Sequence, residues 1–221
     1  MGISIDKVKI IYEDNHVLVV EKPVNVLSQA DITNDEDMLS ILKEYIKEKY
    51  QKPGNVYLGL VHRLDRPVGG VMVFARTSKA ASRLSEDIRT RNFKKVYTAL
   101  VYGKLREKSE TLIHYLLKDE NTNMVKVVSA SDKNGKEAIL DYEVLGFKRD
   151  MSLVRVNLHT GRPHQIRVQF SEIGHPIIGD QRYGKDLARV GEQIHLWASE
   201  ITFAHPITKE QMTFKSTPPW M

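Results

Sequence analysis

The chain has 221 residues, 41% hydrophobic and 28% charged, with no cysteine and a formal net charge of +5 at pH 7. The missing cysteine excludes a disulfide framework, a thiol nucleophile and a cysteine-ligated metal or iron–sulfur centre, and no apolar run approaches the roughly 20 residues that cross a bilayer. These features predict a soluble, cytoplasmic, globular protein, and the basic excess, with arginines at 63, 66, 76, 83, 89, 91, 149, 155, 162, 167 and 182, points to a polyanionic partner.

In chain order, KVKIIYEDNHVLVVEKP predicts two short strands around a turn at Asp14-Asn15, the first beginning by about Lys7 and the second ended by Pro23. A helix follows, with Met38, Leu39, Leu42, Tyr45 and Ile46 in a stripe, an N-cap at Asn34 or Asp35, and a stop at KPG 52–54. NVYLGLVHRLDRP and GVMVFAR predict strands flanking a loop that carries Asp65. Ser78 is expected to cap a second helix with Ala81, Leu84 and Ile88 facing the core.

From Lys94 the pattern turns strand-rich. KKVYTALVYGKL, MVKVVSA, EAILDYEVLGF and MSLVRVNLHT predict an antiparallel meander with hairpin turns at 134–135 and 148–150. A third helix is expected in TGRPHQIRVQFSEIG, with Pro163 in its first turn, Ile166, Phe170 and Ile173 on one face and Gly174 at C′. QIHLWAS and ITFAHP read as two closing strands. No linker, repeat or composition break divides the chain, so the expectation is one α+β domain over 1–221 on a mixed, mostly antiparallel sheet flanked by helices and loops.

The closest histidines, His159 and His164, are five apart across a glycine turn and not four apart on a helix face, so no metal site is expected. GHPIIGDQRYG is glycine-rich but matches neither dinucleotide nor P-loop spacing and reads first as a structural turn. G-x-S-x-G is absent, and a glycosidase would want two carboxylates about 5 to 9.5 Å apart. HRLDR offers one carboxylate, Asp65, between Arg63 and Arg66. Neighbouring guanidiniums favour an ionised carboxylate, which suits a nucleophile or base; a structural ion pair in the loop is the competing reading.

HRLDRPVGG, KKVYTALVYG and LHTGRPHQIRVQFSEIGHPIIGDQRYG, in this order and after the opening IIYEDNHVLVVEKPVNVLS, resemble the signature blocks of the RluA-type pseudouridine synthases over roughly residues 8–206. The resemblance implies the pseudouridine synthase fold and isomerisation of uridine to pseudouridine in ribosomal or transfer RNA, with no cofactor, no metal and no membrane, by a cytoplasmic monomer. It makes Asp65 the catalytic carboxylate, places Tyr97 against the target base, pairs Arg167 with Asp65, and gives Arg63 the place of the flipped uridine. It adds Arg66, Arg162, His164 and Gln165 as residues for RNA binding and base flipping.

In many relatives HRLDR is followed by a Thr-Ser-Gly-like turn where this chain has PVGG, which predicts a loop short of hydroxyl hydrogen bonds. With its first strand beginning by about Lys7, the chain also resembles the branch without an N-terminal S4-type RNA-binding domain. Two other functions stay open on the sequence: an RNA-binding or chaperone protein without turnover, and a hydrolase of RNA N-glycosidic bonds.

Overall fold

The computed structural model describes Ile5 and residues 8–221, apart from the Lys185 side chain. In chain order the elements are β1 (Lys9–Glu13), β2 (Val17–Lys22), α1 (Met38–Lys49), β3 (Gly59–Leu60), β4 (Gly69–Ala75), α2 (Ser78–Arg89), β5 (Lys94–Tyr102), β6 (Ser109–Lys118), β7 (Val125–Val128), β8 (Lys136–Lys148), β9 (Met151–Leu158), α3 (Gln165–Glu172), β10 (Leu196–Ala204) and β11 (Gln211–Lys215). The expected start near Lys7 lies outside the described residues. The chain divides into two compact units, the first holding residues up to 94 with 198–219 and Met221, the second 95–197 with Trp220.

In the first unit the strands follow the order β1, β2, β4, β10, β11, with β3 paired to the end of β4. The β1–β2, β2–β4, β3–β4 and β10–β11 pairs are antiparallel. β2 and β4 carry continuous apolar runs because both of their faces are buried. One face packs Val17, Val19, Val71, Val73 and Ala75 with Ala80 and Leu84 of α2 and with Phe93. On the other face Leu18, Val20, Met72 and Phe74 are equally buried. Gly70, the second residue of β4, has φ +123°, and an added Cβ there would lie 2.3 Å from the Ala198 carbonyl oxygen. Only glycine allows the backbones of β4 and β10 to come that close.

In the second unit the order is β5, β9, β8, β6, β7, antiparallel throughout. The expected pairing sense is right and the meander order is not, because β9 turns back to lie beside β5. β6 was not expected: its apolar residues come as Leu112-Ile113 and Tyr115-Leu116-Leu117 with no clean alternation, and Ile113 is exposed. α3 packs Val168 into a cluster with Leu116, Val125, Ala138 and Tyr183.

Several boundaries differ from the expectation. The α1 cap is Asp37, whose carboxylate accepts from Ser40 N–H, while Thr33, Asp31 and Asp35 bond among themselves. α2 is capped by Thr77 and not Ser78. α3 starts only at Gln165, after His164 in the left-handed region (φ 51°), so Pro163 precedes the helix; Gln165 to Ser171 are all buried, so there is no single apolar face. The helix does end as expected, with Gly174 at φ +81°. QIHLWAS and ITFAHP merge into the single strand β10, and β11 follows it.

Candidate active site

Asp65 lies in the loop 61–68 between β3 and β4. The expectation of two full strands flanking it is corrected: β3 has only two residues, and the loop is held mainly by groups from another stretch of the first unit. Ser28 Oγ, on a buried residue, donates to the Leu64 carbonyl (2.8 Å) and accepts from the Leu64 N–H (3.1 Å). Val68 N–H closes a turn onto the Asp65 carbonyl at 3.0 Å. Hydroxyl bonding thus reaches the loop from Ser28, although the PVGG turn supplies none.

Beneath the loop lies Lys22, the last residue of β2 and fully buried. Its ammonium donates to the carbonyls of Pro23 (2.9 Å) and Arg66 (3.1 Å). Burial lowers its pKa from 10.5 to about 7; the Asp65 charge acts against that shift and the Arg66 charge adds to it. The unfolded chain therefore keeps a proton that the folded chain has released between these two values, and this group makes stability rise with pH from about 7 to 10.5. Lys22→Met should flatten that rise in urea titrations at pH 7 and pH 10; an unchanged difference between the two would contradict the assignment.

Arg66 turns to Asp35 (Nη1 to Oδ2, 2.7 Å), with Nε donating to the Asn25 carbonyl (3.3 Å). Both ion-pair partners are about half exposed, so the pair holds the loop surface weakly. The guanidinium expected to serve the carboxylate is thus engaged elsewhere. Arg63 is exposed.

The remaining expected residues belong to the second unit. Tyr97 lies in β5 opposite Val156, only 7% exposed, within a run from Val96 to Val101 that is buried on both faces. Arg167, on α3, forms a two-pronged ion pair with Asp180, Nε to Oδ2 at 2.8 Å and Nη2 to Oδ1 at 2.7 Å, with both side chains buried. Asp180 also accepts from the N–H groups of Arg182 (3.0 Å) and Tyr183 (3.2 Å). The Arg167 guanidinium lies over the Tyr183 ring, 5.2 Å from its centroid. GHPIIGDQRYG, read from sequence as a turn, is the mount that orients Arg167.

The same network reaches the helix start. The Tyr183 hydroxyl accepts from Val125 N–H (3.0 Å) and shares a hydrogen bond with His164 Nδ1 at 2.7 Å. Gln165, only 3% exposed, accepts from Thr160 Oγ1 and Arg162 N–H and donates to the Ile139 carbonyl and Gln169. Its amide is fully engaged inside the unit, which suits positioning better than contact with RNA. Arg162 Nε donates to the Glu137 carbonyl at 2.9 Å. Sequence reasoning missed Lys22, Ser28, Asp180 and Tyr183; the glycine-rich run flagged the last two without giving them a task.

The comparisons with known proteins agree in direction. A model described as RNA pseudouridylate synthase matches residues 16–172. The chain is 34% identical over 204 residues to an "Uncharacterized RNA pseudouridine synthase YhcT" of Bacillus subtilis, covering 91% of this chain and 65% of that protein, just under two thirds of its length. It is 34% identical over 210 residues to a "Dual-specificity RNA pseudouridine synthase RluA" of Haemophilus influenzae, covering 94% and 91% respectively. The solved structure "Human RNA Pseudouridylate Synthase Domain Containing 4" shares the fold at a TM-score of 0.80 and 23% identity, over 96% of this chain and 89% of that one.

Proposed function

This chain belongs to the RNA pseudouridylate synthase family, the enzymes that isomerise uridine to pseudouridine within RNA, and we propose that it does so in the cytoplasm on ribosomal or transfer RNA, with Asp65 as the carboxylate on which the reaction turns. The observation that carries the assignment is the mounting of Asp65: a loop fixed through its own backbone by Ser28 and Lys22, its carboxylate flanked in sequence by Arg63 and Arg66. The reaction breaks the bond between ribose C1′ and base N1 and joins C1′ to C5, and it exchanges no electron or group with a second molecule. A positioned anion can act by attack on C1′ or by removal of the C2′ proton.

A uridine inside folded RNA hides both reacting atoms, so it must leave the stack first. Arg63 is assigned to the gap it leaves, where a guanidinium can both stack and hydrogen-bond. Arg66, Arg162 and His164 are assigned to the surrounding RNA, and Gln165 to holding the turn that carries Arg162 and His164. Tyr97 supports the detached uracil. Arg167, its guanidinium oriented by Asp180, is assigned to the reaction as a fixed positive group.

Product analysis on total RNA tests this reading. Pseudouridine in an intact strand, present in cells with the protein and missing without it, supports the isomerase. Free uracil would indicate a hydrolase, and no change in any RNA would indicate binding alone. Arg63→Ala should lower turnover about tenfold more on a structured RNA than on a short unstructured strand, because only the former must be held open after flipping. Equal losses on both would give Arg63 a different task.

A further inference from the structure

Lys95, next to the Tyr97 segment, has no assigned task. It is the second residue of β5 and partly buried, and desolvation lowers its pKa. It has no hydrogen-bond or ion-pair partner among the described residues. The buried cations Lys22 and Arg167 are accompanied, by two carbonyls and by Asp180 respectively. A partly desolvated ammonium without a partner in the chain costs some stability, and an anion from outside the chain would offset that cost.

The surroundings indicate which anion. Lys95 and Tyr97 are two residues apart on β5, and strand alternation puts them on the same face about 7 Å from each other. That separation is comparable to the distance from a nucleobase to the phosphate of its own nucleotide. Gly161 borders the ammonium: a Cβ there would lie 3.2 Å from Lys95 Nζ. Gly161 is exposed, so this side of the ammonium is open to an approaching chain. A side chain at 161 would narrow that approach.

We propose that Lys95 binds a backbone phosphodiester of the RNA beside the target uridine. The placement of the phosphate rests on the reading of Tyr97 as the support of the uracil. A single negative charge meets a single ammonium in a partly desolvated place, where the pair is stronger than on a fully exposed surface.

The test is binding of fluorescein-labelled decauridylate to the full-length chain, followed by anisotropy across a range of sodium chloride. Lys95→Met should weaken binding about tenfold at low salt and make the slope of log affinity against log salt shallower by about 0.7, the share of one phosphate on a single strand. Its melting temperature should be unchanged or higher, since a thioether replaces an unpartnered charge. A decauridylate with uncharged methylphosphonate links should bind wild type and variant equally weakly. Unchanged affinity and slope would overturn the proposal, as would an affinity difference that persists with the uncharged strand. A large fall in melting temperature with normal binding would instead make Lys95 a structural cation. These readouts do not involve turnover, so failure of the Asp65 assignment, read from product formation, remains distinguishable.

Discussion

Asp65→Asn should abolish pseudouridine formation, by more than about 10³ in rate, while RNA affinity stays within a few-fold of wild type. The substitution keeps the side chain's size and removes only its anion. The loop should keep its shape because its anchors, the two bonds of Ser28 to Leu64, the Lys22 bond to the Arg66 carbonyl and the Val68 turn, all use backbone groups of the loop. A lost reaction in a folded, RNA-binding protein would therefore report the missing charge. Loss of the Asp65 charge should also push the Lys22 pKa below its value of about 7, since that charge opposes the lowering by burial. Turnover within tenfold of wild type would remove Asp65 from the reaction.

Tyr97→Phe should cost about 10² to 10⁴ in rate, the range for loss of a general base. Phenylalanine retains nearly all of the ring's packing in a strand where Tyr97 is 7% exposed, so melting temperature and RNA affinity should change little. In the proposed role the hydroxyl takes part in removing the C5 proton once the new bond has formed. The variant should accordingly accumulate a base that has been detached or only partly rearranged, with little finished pseudouridine, when the bound RNA is digested and its nucleosides separated. Unchanged turnover would return Tyr97 to the ordinary hydrophobic core.

The candidate site was legible where chemistry sits in short contiguous blocks. HRLDR and HQIRVQF stand out from any window around them, and β1, β2 and β4 follow from apolar runs ended by turn residues. What supports the site was not legible, because it is made of contacts between distant positions. Lys22 looks like the polar end of a strand, and only the fold shows it buried beneath residues more than 40 positions away. Asp180 reads as a turn residue until Arg167, 13 positions earlier, is brought against it. The caps failed for a related reason: Asn34 has φ 57°, and Thr33 links Asp31 to Asp35, so a self-contained turn occupies the place where a cap was expected. β11 escaped notice because its alternate residues are only half buried against β10.

The Ser28 clamp on Leu64 also bears on when the protein becomes competent during folding. One hydroxyl satisfies both the donor and the acceptor of Leu64, 36 positions away, in the manner of a single rung of sheet built by a side chain. Local structure in residues 61–68 cannot supply that rung, and it forms only after the chain has closed a long excursion around it. The Leu64 amide should then exchange with solvent at the slow rate of the surrounding sheet, despite its place in a loop. Catalytic geometry would be among the last features to settle as the first unit folds and among the first to be lost when it opens.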